Sequence, residues 1–149
     1  MSADARLRNV VPLEETLDGA IGVEVLERTD DTIKGRFEVT NKVRQPYGIV
    51  HGGAMAAIAE SLTSMGTALG VAADGKIAMG QEINASWMRP IAEGHVNALC
   101  RVRRRGRTAW NWEVEITDDA GRLCALLRST IAVREAPQQR TAEAGEKPG

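Results

Sequence analysis

Residues 50–70 read VHGGAMAAIAESLTSMGTALG, and this stretch organises the rest of the chain. From Ala54 to Leu69 strong helix formers predominate, and Gly70 is expected to end the helix in a left-handed cap. Apolar and small residues recur all the way round, which predicts a helix buried on every side. Glu60 is the only formally charged residue of the stretch. A lone carboxylate in a buried helix is costly unless it is paired or used.

The start of this helix predicts an anion-binding site. No Ser, Thr, Asp or Asn side chain stands immediately before Gly52 and Gly53 to cap the first amides. Glycines permit close approach of a ligand, and free amides at a helix start attract a carbonyl oxygen that becomes negative during reaction. Glu60 and Ser64 are four residues apart and share a face, so the hydroxyl can steer whatever the carboxylate acts on.

Simpler interpretations of the same residues stay open at this point. The two glycines could form an ordinary turn, and Glu60 could lie at a solvated edge. The Ser64 hydroxyl could donate a hydrogen bond back to a helix carbonyl. Gln45 and His51 flank the helix entrance. Either Gln45 belongs to the loop surface and His51 is a donor at the start of the helix, or both residues help hold a carbonyl near the oxyanion site.

Length and composition exclude several classes of protein. The 149 residues predict one main domain, and a formal net charge of -1 argues against a nucleic-acid partner. Cys100 and Cys124 lie in apolar surroundings and make no disulfide framework, which predicts a reducing cytoplasmic location. The first residues lack the apolar core of a signal peptide. Residues 52–73 approach the length of a membrane span, but small residues and the central Glu60 argue against one.

The order of elements predicts an α+β fold. A polar N-terminal segment (1–19) with a short helix near 12–17 precedes the main domain (20–134), and a disordered polar tail (135–149) follows. Alternating apolar residues predict strands over 21–27, 33–40, 77–88, 95–105, 110–116 and 123–133. Their short connections require mostly antiparallel pairing. We therefore predict one long helix packed on a curved antiparallel sheet.

At this point the chain resembles a known family. Residues 48–54 (GIVHGGA) followed by 59–61 (AES) resemble the signature of hotdog-fold acyl-CoA thioesterases. The nearest branch in appearance comprises the 4-hydroxybenzoyl-CoA and 1,4-dihydroxy-2-naphthoyl-CoA thioesterases. Residues 80–86 (GQEINAS), 89–94 (RPIAEG) and 118–124 (DDAGRLC) match it too. The resemblance covers about residues 17–134.

The resemblance implies a sheet wrapped round the helix, in subunits paired as a homodimer or homotetramer with active sites at the interface. It implies hydrolysis of an acyl-CoA thioester to an acid and CoA, with no metal and no cofactor, CoA being part of the substrate. Glu60 would be the nucleophile or the general base on water, and the Gly52 amide would polarise the carbonyl. Gln45 and His51 would support that carbonyl, and Ser64 would orient water or the carboxylate.

Helix geometry favours such a shared site. Gly52 and Glu60 are about 12 Å apart along one helix, so a single helix cannot present both to one carbonyl. Two helices from paired subunits could do so. Burial of Glu60 is expected to raise the pKa of its carboxyl group and to strengthen it as a base.

Several arginines are candidates for binding the phosphates of CoA. Arg101, Arg103, Arg104, Arg105 and Arg107 form the only dense basic run. Alternation would place Arg101, Arg103 and Arg105 on one strand face, either as a phosphate site or as the charged face of an edge strand. The candidate substrate-binding residues are Gly53, Arg89, Arg103, Arg105, Arg107 and Thr108.

Three matters stay open from the sequence. Trp87, Met88 and Leu62 could line an aryl pocket or belong to the core. A non-catalytic protein that binds acyl-CoA or an aromatic ligand would use the same apolar helix. A dehydratase of the same fold would need another arrangement of His and carboxylate.

Overall fold

The computed structural model describes residues 11–137. Its helices are α1 (Leu17–Ile21) and α2 (Gly52–Val71), and its strands are β1 (Glu24–Arg28), β2 (Thr32–Glu38), β3 (Lys76–Trp87), β4 (His95–Arg105), β5 (Ala109–Thr117) and β6 (Leu123–Glu135). The strands form one six-stranded sheet in the order β1-β2-β4-β5-β6-β3. Every neighbouring pair is antiparallel. The predicted α+β arrangement is confirmed.

The sheet buries one side of helix α2. Met55, Ile58 and Leu62 of this helix are buried against inward-facing residues of the sheet. The opposite side is open, since Met65 and Leu69 are exposed. The expectation of a helix buried on every side is therefore wrong for the single chain, because one sheet can cover only one side of a helix.

Two glycines of α2 make room for tryptophans. The helix continues through Gly70, and the chain turns at Gly75, whose φ is 73°. The predicted cap at Gly70 is wrong. A Cβ on Gly70 would collide with the ring of Trp110, and one on Gly66 would lie 2.7 Å from Cη2 of Trp112. These glycines let the indole rings pack directly on the helix backbone.

Buried hydroxyl groups tie α2 to the sheet. The Thr63 hydroxyl donates to the Ala59 carbonyl at 2.8 Å and lies 3.1 Å from Oγ of Ser129 in β6. The Trp112 indole nitrogen donates to Oγ1 of Thr67 at 2.9 Å. Because buried polar groups without partners are costly, this network satisfies the polar atoms that the helix turns towards the core.

The N-terminal part of the fold differs from the prediction. The predicted helix near 12–17 is a 3₁₀ turn at Leu13–Glu15, and residues 17–21 form α1. The Thr16 hydroxyl caps α1 by accepting from the Gly19 amide at 3.3 Å. Ile21 thus belongs to a helix, and β1 starts later than predicted. The predicted tail begins within β6, and its residues 138–149 lie outside the described residues, as do residues 1–10.

The two cysteines are free and buried, in agreement with the absence of a disulfide framework. Burial raises the pKa of the Cys100 thiol to about 12. Residues 52–74 are long and apolar enough to cross a membrane by length and composition alone. Their packing on the sheet gives them another role, that of the core helix.

Candidate active site

A cleft of about 550 Å³ opens at the start of α2. It lies between the loop that enters the helix and the segment that follows β3. Its lining residues are Gln45, Ile49, Val50, His51, Gly52, Gly53, Met55, Trp87, Met88, Arg89 and Pro90. We call it the amide cleft.

Backbone hydrogen bonds fix the loop that carries Gln45. The Gln45 amide donates to the Ile49 carbonyl, and the Gly48 amide donates to the Gln45 carbonyl, both at 2.9 Å. Gly48 has a φ of 86°, a conformation that favours glycine. The Val50 amide donates to the Ile91 carbonyl at 2.8 Å. The loop is thus tied at both ends beside the amide cleft.

His51 caps the helix, contrary to the expectation that no side chain does. Its Nδ1 accepts a hydrogen bond from the Gly53 amide at 2.8 Å. In the neutral ring the proton therefore sits on Nε2, where it can be donated. The amide of Gly52 has no acceptor among residues 11–137. Of the first two helix amides, the one left for a ligand is that of Gly52.

Trp87 covers the side of Gly52. A Cβ built on Gly52 would lie 3.0 Å from Cε2 and 3.1 Å from Cζ2 of the indole. A larger residue here would need a small shift of the ring that packs against it. Trp87 and Met88 are each half exposed in the amide cleft, whereas Leu62 is fully buried. Two of the three candidates for an aryl pocket therefore lie on the cleft, and Leu62 belongs to the core.

Glu60 lies in a separate cleft of about 290 Å³, lined by Ala56, Ala57, Glu60, Gly80, Gln81, Glu82 and Ile83. Its carboxylate lies against Gly80 of β3, where a Cβ would collide with Oε1. Glu60 is exposed in the single chain, so the expectation of a buried carboxylate is wrong for one chain alone. The desolvation expected to strengthen Glu60 as a base has to come from another molecule. Gly80 was not singled out from the sequence, although it begins the matching stretch GQEINAS.

Ser64 lies one turn beyond Glu60. Its Oγ is buried and has no hydrogen-bond partner among the described residues. The alternative in which it bonds back to a helix carbonyl does not hold, whereas Thr63 makes such a bond to Ala59. A buried hydroxyl without a partner is available to a ligand or a water molecule.

Strand β3 connects the two clefts. Gly80, within the strand, lies beside Glu60, and Trp87, its last residue, lies beside Gly52. The chain by itself does not bring the Glu60 carboxylate and the Gly52 amide into one cleft, in agreement with their spacing along the helix. Strand β3 is also an edge of the sheet. Met79, Ile83 and Trp87 of this strand are exposed.

The candidate phosphate ligands are scattered. Arg89 lines the amide cleft, and its amide donates to the Cys124 carbonyl at 3.0 Å. Arg103 pairs with Glu113 at 2.9 Å. Arg107 and Thr108 line another cleft of about 460 Å³, together with Lys76, Val133, Arg134 and Glu135.

Arg105 is held by the β1–β2 turn. Its guanidinium contacts Asp31 at 2.8 Å and lies over the Trp110 ring, 5.1 Å from the centroid. A bulge between Val102 and Arg104 breaks the alternation, so Arg105 pairs with the inward-facing Trp110. The placement of Arg105 on the same face as Arg103 is therefore wrong. The edge-strand interpretation is wrong too, since β4 lies between β2 and β5.

The described part of the chain contains no group of three or more His, Cys, Asp or Glu side chains placed to hold a metal ion. The polar groups that line the two clefts include the Gly52 amide, the Glu60 carboxylate, the His51 imidazole and the Gln45 carboxamide, and the Ser64 hydroxyl lies one helical turn from Glu60. Such a set can bind a carbonyl oxygen and activate a water molecule or attack a carbonyl carbon.

Comparison with known proteins identifies the family of the chain. A family model described as the thioesterase superfamily matches residues 47–125, which include Glu60, the start of α2 and all of β3. The chain belongs to the thioesterase superfamily. It is 38% identical over 118 residues to the proofreading thioesterase EntH of Cronobacter turicensis, covering 79% of this chain and 85% of that protein.

Solved structures of this superfamily have the same fold. Thioesterase HI1161 of Haemophilus influenzae is 28% identical, with a TM-score of 0.80 over 86% of this chain and 89% of that chain. Thioesterase PA1618 of Pseudomonas aeruginosa, solved as a mutant, is 28% identical, with a TM-score of 0.78 over 88% and 90%. The chain has the hotdog fold, and it is a thioester hydrolase.

Proposed function

We propose that this thioester hydrolase cleaves acyl-CoA thioesters, with aryl-CoA of the hydroxybenzoyl or naphthoyl type as its preferred substrate. The products are the free acid and CoA, and the reaction uses no metal and no cofactor. The observation that carries the proposal is the pair of groups that lie beside Gly80 and Trp87 of β3. These are the Gly52 amide without an acceptor and the Glu60 carboxylate with a buried free hydroxyl one turn away.

The chemistry needs few groups, because a thioester carbonyl is already electrophilic. The Gly52 amide donates to the carbonyl oxygen and stabilises the negative charge that develops there. Glu60 either removes a proton from water as it attacks the carbonyl carbon, or attacks that carbon itself to form an anhydride that water then hydrolyses. In both routes the C–S bond breaks, and CoA leaves as a thiolate that takes up a proton.

The other site residues act around these two groups. Ser64 orients the water or the carboxylate through its free hydroxyl. The Nε2 proton of His51 and the carboxamide of Gln45 support the carbonyl and the loop. Gly53 shapes the helix start, where its amide is already bonded to His51.

We propose that two copies of the chain pair through β3 to complete each site. For Glu60 of one copy to meet the partner's Gly52, Gly80 must lie opposite the partner's Trp87. In an antiparallel pair of identical strands this requires a two-fold axis beside Ile83 or Asn84. The same pairing covers the exposed edge strand and removes Glu60 from bulk water. The assembly is then a homodimer or a homotetramer built from it.

Arginines and Thr108 hold the nucleotide end of CoA. Arg89 is best placed, since it lines the amide cleft. Arg107 and Thr108 form a second candidate contact, at a cleft that also contains Lys76 and Arg134. Arg103 and Arg105 already pair with Glu113 and Asp31, so phosphate contacts from them require exchange of those partners. We place the enzyme in the reducing cytoplasm, without a nucleic-acid or membrane partner.

A panel of CoA thioesters tests the proposal. Purified protein is supplied with benzoyl-, 4-hydroxybenzoyl-, naphthoyl- and straight-chain acyl-CoA, and released thiol is followed with a chromogenic thiol reagent. We expect the aryl-CoA esters to give the highest kcat/KM. Glu60→Gln, which keeps the shape of the side chain and removes its charge, should lower kcat by about 10²–10⁴-fold. A wild-type rate in Glu60→Gln would refute the role of Glu60, and a preference for straight-chain esters would refute the aryl substrate.

A further inference from the structure

Trp87 differs from the other tryptophans of this chain. Trp110 and Trp112 are 8% and 1% exposed and pack on α2 in the core, whereas Trp87 is 50% exposed. Its indole borders the amide cleft together with Gln45 and His51. A large aromatic ring that stays half exposed at the entrance of a catalytic helix is not accounted for by core packing.

The backbone holds Trp87 firmly in this place. Trp87 is the last residue of β3 and pairs with Ala125 of β6, which lies between β5 and β3. The next two amides, of Met88 and Arg89, both donate to the Cys124 carbonyl, at 2.8 and 3.0 Å. A side chain carried by such a doubly anchored segment keeps its position when a ligand enters.

The indole lies against the residue whose amide is free. Three indole atoms, Cε2, Cζ2 and Nε1, lie 3.0–3.4 Å from the position that a Cβ on Gly52 would occupy. A carbonyl oxygen bound by the Gly52 amide therefore lies near this ring. The indole Nε1 has no hydrogen-bond acceptor among residues 11–137, in contrast to that of Trp112, which donates to Thr67.

We propose that Trp87 is a specificity-determining residue whose indole face stacks on the acyl group and selects flat, conjugated acyl groups over saturated ones. This inference rests on the proposed binding of a thioester carbonyl at Gly52. Conjugation keeps the ring of an aryl thioester in the plane of its carbonyl, so an aryl group extends from the amide as a flat plate along the indole. A saturated ring of the same size is puckered and cannot make the offset-stacked contact that aromatic pairs prefer.

A matched pair of substrates isolates this contact. Benzoyl-CoA and cyclohexanecarbonyl-CoA have the same number of ring carbons and differ in flatness and aromaticity. We expect wild type to prefer benzoyl-CoA in kcat/KM, and Trp87→Leu to lower that preference about tenfold, the upper end of an aromatic pair contribution. Trp87→Phe, which keeps a flat face, should retain most of the preference. Leu26→Ala, which changes an exposed apolar residue of β1 outside the clefts, should leave the ratio unchanged.

Binding gives a readout that does not depend on turnover. Phenacyl-CoA thioether and its cyclohexyl counterpart carry a ketone in place of the thioester and cannot be hydrolysed. Titration calorimetry should show tighter binding of the phenacyl compound to wild type and similar binding of both to Trp87→Leu. If the preference for the aromatic over the saturated compound is the same in wild type and in Trp87→Leu, in kinetics or in binding, the proposed role of Trp87 is wrong. Absence of hydrolysis with a retained binding preference refutes the proposed function and leaves the stacking contact supported.

Discussion

The Gly53 amide donates to Nδ1 of His51, so the residue that caps helix α2 also lines the amide cleft. In the function proposed above, its other nitrogen, Nε2, donates to the substrate carbonyl. The two contributions can be separated by substitution.

We expect His51→Asn to keep the cap and His51→Ala to lose it. Asn accepts from a helix amide as well as the usual capping residues do, whereas loss of a cap costs about 1 kcal/mol. Urea denaturation should therefore show a lower free energy of unfolding for His51→Ala only. Both variants lack the Nε2 proton, and both should have a lower kcat. Equal loss of stability in the two variants would show that the hydrogen bond to Gly53 is unimportant for the helix.

Replacement of Gly52 tests the free amide directly. Gly52→Pro removes the N–H at the first helical position, which proline tolerates, and should lower kcat about 10²–10³-fold. Gly52→Ala is the control, since its Cβ meets the Trp87 ring in the same way but the amide remains. Thiol release and circular dichroism are measured for both. If Gly52→Ala loses as much activity as Gly52→Pro, the contact with Trp87 matters and the amide does not.

A mixing experiment tests whether each site is shared between two chains. Glu60→Gln and Gly52→Pro are each expected to be inactive alone. After exchange of subunits, half of the dimers contain one chain of each kind, and one of their two sites has both an intact Glu60 and an intact Gly52. Activity should then return to about a quarter of the wild-type value. No recovery, with exchange verified by mass spectrometry, would place both groups of a site in the same chain.

The buried Cys100 thiol predicts a loss of stability at high pH. Its pKa is raised to about 12 by burial, above the ordinary value of 9.0 for an unfolded chain. Between these values the unfolded chain has lost the proton and the folded chain has kept it, so unfolding is favoured as pH rises. The slope is about 1.4 kcal/mol per pH unit. Cys100→Ala should be less stable at neutral pH but lack this slope, as measured by urea denaturation between pH 8.5 and 10.5.

The strands were predictable because their side chains alternate on a simple period. Trp110, Trp112, Val114 and Ile116 were expected on the inner face of one strand, and all are buried. The same rule failed for Arg105, because a bulge shifts the pairing by one residue and a bulge has no clear signal in a single sequence.

The sequence placed Gln45, His51 and Gly52 near one another at the helix entrance, and they line one cleft. The environment of the candidate residues was less predictable. His51 is an uncommon capping residue, so its bond to Gly53 could not be foreseen from composition. The exposure of Glu60 follows from the single sheet, which covers one side of α2 only. Glycine often ends a helix, which is why a helix end was predicted at Gly70. The residue lies within α2 instead, where its lack of a side chain lets the Trp110 ring pack on the helix backbone.

The hydroxyl network of Thr63, Thr67, Ser129 and Trp112 fixes the angular position of α2 about its own axis. Each residue of a helix advances the side chains by about 100°. Turning α2 by a single residue would therefore remove the threonine hydroxyl groups from Ser129 and from the Trp112 indole. The hydrogen bonds of Thr63 and Thr67, on another side of the same helix, therefore determine that Glu60 faces Gly80. Substitutions that widen the cleft around Glu60 can thus leave unaltered the direction in which the carboxylate points.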